Sequence, residues 1–498
     1  MTELITAIAN IFTPLPLFFT VLGTVLGILV GAIPGLTGAM LIALTLPLTF
    51  LMSPVTALIL LVSMYVGSIS GGQVASILLR MPGAPSAVMT TFDGYPMARD
   101  GQPGRALALG IGASFFGGLV SWIFLVLLTE PLSEIAVKFG PFEYFTLVLM
   151  ALVLIASVSQ GSLIKGILAG FIGMLVAMPG VDPSAGNVRL TLGFHEMDDG
   201  FKLLPVLMGV FVVGQIISEL VDIERKVEPI ESSLKSVFIS LQDWKIHFAN
   251  LVRSSLIGTW VGILPAIGGN IGSVLAYTAA KNMSKTPEKF GKGSDEGIIA
   301  SETANNATIG GALIPLISMG IPGSVVDVFL LAALLVHGIQ PGPLLFVNNA
   351  DIVFAIMAAM IVANVFMLLI MTSSVKYIAK IARLPKTYIL PCIMMFCVIG
   401  SFAQANRVFD VWVLLFFGAV GYALRRASVP QAPFIIGLVL APIAEQNLRT
   451  GLQITGGSLM PLITRPVSLI FLAISILFLI WPFVSHRRRK NNTTIGKP

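Results

Sequence analysis

The chain contains 498 residues, of which 56% are hydrophobic and 11% are charged. Soluble globular domains carry about 25% charged residues, so this composition excludes that class and indicates a protein of the lipid bilayer. The net charge of +6 does not indicate nucleic-acid binding, because the lysines and arginines occupy short loops and a C-terminal basic run at residues 487–490. That is the distribution expected from the positive-inside rule.

Apolar segments of roughly 17 to 25 residues, the length needed to cross a bilayer, recur along the chain. They predict an all-α polytopic membrane protein with about ten to twelve transmembrane helices, together with shorter re-entrant or broken helices. The first segment covers about Leu15 to Gly31. The residues before it lack the basic region of a cleavable signal peptide, so we expect it to remain in the mature protein.

Charge patterning predicts both the orientation and the division of the chain. Basic clusters at residues 376–386, 425–426 and 487–490 predict cytoplasmic loops and a cytoplasmic C-terminus, whereas the N-terminus has neither Lys nor Arg and is expected outside. We predict four parts: an N-terminal membrane repeat (1–222), a polar linker (223–253), a C-terminal membrane repeat (254–400), and additional C-terminal helices with a basic tail (401–498).

Three short motifs occur in the same order in the two predicted repeats. GAIPGLTG at 31–38 corresponds to GILPAIGG at 262–269, and GQPG at 101–104 corresponds to IQPG at 339–342. Between them, SGGQVASILLRMPG at 70–83 corresponds to the end of NNATIGGALIPLISMGIPG at 305–323, with Gly71 and Pro82 each 240 residues before Gly311 and Pro322. We interpret the 70–83 and 305–323 stretches as matching broken helices.

The loop charges further predict that the two repeats are inverted. Arg99 and Arg105 flank the first GQPG turn, whereas the corresponding turn near His337 has no Lys or Arg. Inverted repeats with interrupted helices are typical of transporters that bind substrate near the bilayer midplane. The alternative is that Gly and Pro are simply frequent in membrane helices.

A helix that restarts within the membrane presents unpaired N–H groups and the positive end of its dipole, which favour an anion. The predicted restarts follow Pro34-Gly35, Pro82-Gly83, Pro265-Ala266 and Pro322-Gly323. We therefore predict substrate binding by Gly35, Thr37, Gly38, Ser70, Gly71, Gly72, Gln73, Arg80, Pro82, Gly83, Ser86, Gly268, Gly269, Pro322, Gly323 and Ser324. The serines have an alternative role as ordinary helix caps. Arg80 can either clamp a carboxylate or extend to a membrane face.

Polar side chains of the second repeat provide candidate ligands for a coupling cation. The predicted ion-coupling residues are Asn270, Glu302, Asn305, Asn306, Thr308 and Asp327. Amide, hydroxyl and carboxylate oxygens suit a desolvated Na⁺, and buried carboxylates suit H⁺. Hydrogen bonding between helices is the alternative. No resident cofactor or metal site is predicted. The absence of nucleophile-elbow, HExxH and Walker motifs argues against an enzyme and a nucleotide-driven pump.

These motifs, with ASETANNATIGGALIPLISMGIPGSVVDVFLLAALLVHGIQPGP at 300–343, resemble the large membrane subunit of tripartite tricarboxylate transporters, the TctA family. The resemblance extends from about Gly23 to Arg465. It implies a secondary transporter of the bacterial inner membrane that imports citrate-like tricarboxylates or related organic anions with Na⁺ or H⁺. It also implies two partners, a small four-helix membrane subunit and a periplasmic substrate-binding protein. A passive organic-anion channel or an exchanger is the alternative.

Overall fold

The computed structural model describes residues 2–158, 162–182, 186–221, 239–265, 268–382 and 386–494. Almost all of them are helical, as predicted for an all-α membrane protein. The helices before residue 222 are α1 (Thr2–Ile11), α2 (Pro14–Ala32), α3 (Gly38–Thr45), α4 (Pro54–Leu79), α5 (Val88–Arg99), α6 (Pro103–Val137), α7 (Pro141–Val158), α8 (Leu163–Val176), α9 (Leu203–Leu207) and α10 (Gly214–Val221). Short 3₁₀ segments at Leu46–Leu51 and Pro85–Ala87 follow α3 and precede α5, and a π-helical turn at Met208–Val213 joins α9 to α10.

The remaining helices follow the segment 222–238, which lies outside the described residues. They are α11 (Leu241–Ile263), α12 (Gly268–Met283), α13 (Asp295–Met319), α14 (Val325–Val336), α15 (Pro343–Asn348), α16 (Ala350–Ile381), α17 (Lys386–Ala405), α18 (Val408–Arg426), α19 (Gln431–Ile454), α20 (Pro461–Thr464) and α21 (Pro466–Thr494). The described part of the predicted linker is largely helical, because Ser240 and Asp243 form a capping box that starts α11.

Seven helices in the described part of the chain are long and apolar enough to cross a membrane. They are Pro14–Ala32, Pro54–Leu79, Pro103–Val137, Leu203–Val221, Ala350–Ile381, Thr387–Ala405 and Val408–Arg426. Shorter apolar helices and the more polar α11 and α13 accompany them. The total of ten to twelve crossings therefore stays a prediction.

The same succession of elements occurs in both predicted repeats. A long helix is interrupted and followed by a shorter one (α2 and α3, α11 and α12), and a second interrupted pair comes next (α4 and α5, α13 and α14). A helix of more than 30 residues then follows, α6 or α16. The order of the three motifs in the sequence is therefore reproduced as an order of helices.

The interruptions are shorter than the predicted broken segments. Residues 70–79 belong to α4, and 305–319 belong to α13, which ends at the left-handed Gly320. Each predicted broken helix is therefore interrupted only at the end of its stretch, after Leu79 and after Met319. Gly310 and Gly311 remain helical, and they let neighbouring backbones approach closely. A Cβ added at Gly310 would lie 2.7 Å from the carbonyl carbon of Ser121, and a Cβ added at Gly311 would lie 3.0 Å from the Cα of Gly262.

The segment between α8 and α9 forms a small antiparallel hairpin of β1 (Gly180–Val181) and β2 (Val188–Arg189). Arg189 donates two hydrogen bonds of 2.6 Å to the carboxylate of Glu445 on α19. These bonds raise the pKa of Arg189 above its ordinary value. The hairpin is thereby attached to the C-terminal helices.

Candidate anion-binding cavity

A cavity of about 580 Å³ lies where the interruptions of the four helix pairs meet. Its wall includes the starts of α3, of the 3₁₀ segment before α5, of α12 and of α14, at residues 37–40, 84–86, 268–271 and 324–326. Each start presents backbone N–H groups without intrahelical partners. Four positive dipole ends therefore face one space, an arrangement that favours an anion.

Hydroxyl groups cap two of these starts. Thr37 accepts a hydrogen bond from the backbone N–H of Met40 at 3.3 Å, and Ser324 accepts one from that of Asp327 at 3.3 Å. The hydroxyl of Ser324 also lies 3.1 Å from that of Tyr65 on α4. Thr37 and Ser324 thus both cap helices while they line the cavity, and for Ser324 the cap is the predicted alternative role.

Glycines allow the starts of α3 and α12 to approach the long helices. A Cβ at Gly38 would collide with the hydroxyl of Ser68 on α4. At the corresponding Gly269, a Cβ would lie 3.1 Å from the hydroxyl oxygen of Thr308 on α13 and 3.0 Å from the Cβ of Ser86. The two glycines therefore occupy equivalent places in the two repeats, and Gly269 also contacts the first repeat.

The structure brings only part of the predicted site together. The predicted residues that line the cavity are Thr37, Gly38, Ser86, Gly268, Gly269, Asn270, Thr308 and Ser324. The others lie elsewhere: Gly35, Ser70, Gly71, Gly72, Gln73, Arg80, Pro82, Gly83, Glu302, Asn305, Asn306, Pro322, Gly323 and Asp327. Pro265 is described, but Ala266 of the predicted third restart lies outside the described residues.

Several of the remaining polar residues form a buried network between α4, α5, α6 and α13. Ser70 donates to the amide oxygen of Asn306 at 2.7 Å, and the amide nitrogens of Asn306 and Gln73 donate to Ser114 at 2.8 and 3.2 Å. Ser114 lies 3.4 Å from a carboxylate oxygen of Glu302. Part of this set therefore matches the predicted alternative, hydrogen bonding between helices.

Glu302 is fully buried within this network. Thr90 on α5 donates to its other carboxylate oxygen. No lysine or arginine of the described ranges forms an ion pair with Glu302. A buried carboxylate without a counter-charge is costly unless it is protonated or binds a cation.

Asn305 and Asp327 carry buried polar atoms without hydrogen-bond partners in the part of the chain that the structure describes. The Asn305 amide faces Glu302 without hydrogen-bond geometry. Its oxygen would lie 2.8 Å from a Cβ placed at Gly269, so it is next to the cavity wall. Both carboxylate oxygens of Asp327, in the first turn of α14, lack a partner with full hydrogen-bond geometry, although Ser324 lies beside them. Such atoms are candidate ligands for a cation or a proton.

Arg80 lies outside the cavity. It ends α4 in the left-handed conformation (φ 54°), and its guanidinium carbon is 5.6 Å from the centroid of the Tyr95 ring. It is exposed in a separate pocket of about 320 Å³ that also contains Arg99. Arg80 is therefore not placed to clamp a carboxylate in the cavity, and its alternative role, an arginine that extends to a membrane face, stays a prediction.

The cavity also contains residues that the sequence did not indicate. Tyr65 and Ile69 come from α4, Phe211 and Gln215 from the α9–α10 region, and Arg425 and Gln431 from the C-terminal helices. Arg425 is the one charged side chain that lines the cavity within the described residues. The sequence suggested only a cytoplasmic anchor for it, because nothing near residue 425 shows that α18 reaches the space between the repeats.

Residues 17–436 match the tripartite tricarboxylate transporter TctA family. The chain belongs to this family. A protein of Agrobacterium vitis, described as an uncharacterized 52.8 kDa protein in the TAR-I ttuC' 3' region, is 34% identical over 435 residues, which cover 87% of this chain and 86% of that protein. A second A. vitis protein, uncharacterized and in the TAR-II ttuC' 3' region, is 31% identical over 235 residues, covering 47% of this chain and 97% of its own. No solved structure matches the chain.

The TctA assignment identifies the chain as a multi-pass membrane component of a tricarboxylate transporter. It also implies partner subunits and a role in transport rather than catalysis. The converging helix starts of this TctA chain are consistent with the handling of an anion.

Proposed function

We propose that this protein imports citrate-like tricarboxylates or related organic anions across a bacterial inner membrane, driven by a Na⁺ or H⁺ gradient. A periplasmic binding protein would deliver the anion, and a small four-helix membrane subunit would complete the complex. The observation that carries the proposal is the convergence of four helix starts on one cavity. In this proposal the basic C-terminal tail lies on the cytoplasmic side of the membrane, and the N-terminus, which lacks Lys and Arg, lies on the periplasmic side.

The number of helix starts matters because the anion loses water when it enters the cavity. One helix N-terminus stabilises a negative charge by about 0.3–1 kcal/mol near the surface and by more where water is excluded. A multiply charged anion needs several such contributions to offset lost hydration. The N–H groups beside Gly38, Ser86, Gly269 and Ser324 supply them from four directions.

Two contacts at opposite ends of the helices support an inverted repeat. Arg105, at the start of α6, pairs with Asp243 at 3.1 Å and also with Asp295, and these acidic residues begin α11 and α13. His337, just after α14, lies 3.4 Å from Thr49, which shortly precedes α4. Thus α11 and α13 begin beside the start of α6, whereas α4 begins near the end of α14. Corresponding long helices that begin at opposite ends are the arrangement of inverted repeats, which suits alternating access.

The oxygens of Asn305 and Asp327 lack partners with hydrogen-bond geometry, and the buried carboxylate of Glu302 has no ion-pair partner among the described residues. Both observations support ion coupling. Asn305 and Thr308 lie next to Gly269 on the cavity wall, so a bound cation there would adjoin the bound anion. Mutual attraction between the two ions then makes the binding of each one favour the other. Asn270 lines the same wall and Asn306 the adjoining network.

The test is uptake of labelled citrate and a panel of dicarboxylates by the reconstituted complex, with a Na⁺ or H⁺ gradient imposed separately. We expect accumulation above equilibrium with one of the two gradients. Equilibration without ion dependence would instead identify a passive channel, and uptake that requires an internal anion would identify an exchanger. Protein-free vesicles and the complex without its binding protein are the controls.

A further inference from the structure

Arg425 reaches the cavity from the end of α18, outside the two repeats. Its guanidinium donates to the amide oxygen of Gln215 on α10 and, at 3.3 Å, to that of Gln431 at the start of α19. No carboxylate of the described chain forms an ion pair with it. The direct hydrogen-bond partners of this half-buried arginine are thus two neutral amides. Glu219, which is hydrogen-bonded to Gln215, interacts with the guanidinium electrostatically without forming an ion pair with it.

The two glutamines are themselves fixed in orientation. The amide nitrogen of Gln215 donates to Glu219 at 2.7 Å, and that of Gln431 donates to the carbonyl oxygens of Gly421 at 2.7 Å and Val210 at 3.3 Å. Each amide therefore turns its oxygen towards Arg425. The glutamines position the guanidinium without neutralising it, which is the arrangement expected of a site that accepts an external anion.

We propose that Arg425 binds a second carboxylate of the substrate while a first carboxylate lies at the helix starts, so that the cavity selects anions with two or more carboxylates. This inference rests on the proposed function. The guanidinium and the four helix starts are separate elements that line one cavity. A monocarboxylate offers a single charged group to this cavity, whereas a dicarboxylate offers one group to each element. A dicarboxylate gains both interactions, including the paired hydrogen bonds of a planar fork.

The test compares succinate with butyrate, which share a four-carbon chain but differ by one carboxylate, as competitors of labelled citrate uptake and as ligands of the purified chain. In the wild type we expect succinate to bind at least about tenfold more tightly than butyrate, because it gains a charge-assisted contact. In Arg425→Gln that ratio should fall close to one, through weaker succinate binding and unchanged butyrate binding. Arg425→Lys should retain part of the preference.

Arg426→Gln is the matched control, since Arg426 is the exposed neighbour on the same helix turn and does not line the cavity. We expect it to keep the wild-type ratio. An unchanged ratio in Arg425→Gln, or equal weakening of both ligands, would overturn the role of Arg425 and leave the proposed function standing. A wild-type chain and complex that bind neither succinate nor citrate would overturn the proposed function itself.

Discussion

At the scale of single residues, Asn305 is the most informative side chain. It is fully buried, and neither its amide oxygen nor its nitrogen has a hydrogen-bond partner among the residues described. An unsatisfied buried polar group costs about 1–3 kcal/mol. A residue kept only for stability would not carry that cost, so we expect Asn305 to acquire a partner during transport.

We predict that Asn305→Ala weakens the cation dependence of uptake without destabilising the protein. Loss of one ligand should raise the half-saturating concentration of the coupling ion about tenfold. The melting temperature without that ion should stay equal or rise, because an unpaired polar group is removed. The half-saturating ion concentration is measured from uptake by the reconstituted complex at a series of ion concentrations, and the melting temperature from thermal unfolding of the purified complex.

Thr303→Val is the matched control for this prediction. Thr303 lies on the same helix and its hydroxyl is likewise buried without a partner in the described chain. Its backbone packs against Gly117 on α6, whereas the Asn305 amide adjoins Gly269 on the cavity wall. We expect the ion dependence of Thr303→Val to match the wild type. A parallel loss of ion affinity in both variants, or a wild-type response of Asn305→Ala, would count against a ligand role for Asn305.

At the scale of elements, the two halves repeat a close contact among small residues. A Cβ at Gly83, beyond the break after α4, would collide with the carbonyl oxygen of Gly31 and lie 2.8 Å from the Cα of Gly72. In the second half, a Cβ at Gly323 would lie 2.9 Å from the carbonyl oxygen of Gly262 and 2.7 Å from the Cβ of Ala312. The breaks are thus packed against the ends of α2 and α11.

The sequence could predict where α4 and α13 are interrupted, but not the residue at which each helix ends. The constant spacing of 240 residues between Gly71 and Gly311 and between Pro82 and Pro322 correctly located both breaks. The motifs could not show where each helix stops, because a glycine can either end a helix or allow a second helix to pack closely. Gly320 ends α13, whereas Gly311 stays helical and allows α11 to pack closely.

We predict that Gly83→Ala destabilises the protein by about 1–3 kcal/mol, the usual cost of overpacking. The methyl group would meet backbone atoms that cannot rotate away, so the break must shift from the cavity wall. The melting temperature and the affinity for citrate should both fall. Gly170→Ala, on α8, is the matched control, since its nearest neighbour would be 3.7 Å away and we expect no loss. Equal stability of the two variants would contradict this account of the break.

At the scale of the whole molecule, the sequence motifs indicated the order of the helices but not the contacts between the two halves. The motifs mark the ends of neighbouring helices and the turns between them, whereas Arg425 and Asp93 contact residues more than 190 positions away in the chain. No local pattern distinguishes such residues from loop charges. Arg80 and Arg425 illustrate this limit: the arginine beside a motif lies outside the cavity, and the arginine in an unremarkable basic pair lies inside it.

Asp93 holds the two halves together at the end of the molecule where Arg105 pairs with the second half. It is fully buried on α5, and one carboxylate oxygen accepts hydrogen bonds from the N–H groups of Gly291, Gly293 and Ser294 at 2.8, 3.0 and 2.8 Å. The other oxygen accepts one from the hydroxyl of Tyr277 at 2.7 Å. Any movement of one repeat against the other must preserve this junction or break four charge-assisted bonds.

We predict that Asp93→Ala lowers the free energy of unfolding by at least about 3 kcal/mol, since four donors, two of them in buried hydrogen bonds, lose their acceptor at about 1–3 kcal/mol for each buried one. It should also release the loop before α13, so that trypsin cleaves faster at the exposed Lys289 and Lys292. Asp100→Ala, an exposed position close by, is the control and should resemble the wild type. Wild-type stability and cleavage in Asp93→Ala would show that the hydrogen bonds of Asp93 do not hold α5 to that loop. The boundary at which one repeat moves against the other would then lie between α5 and the loop.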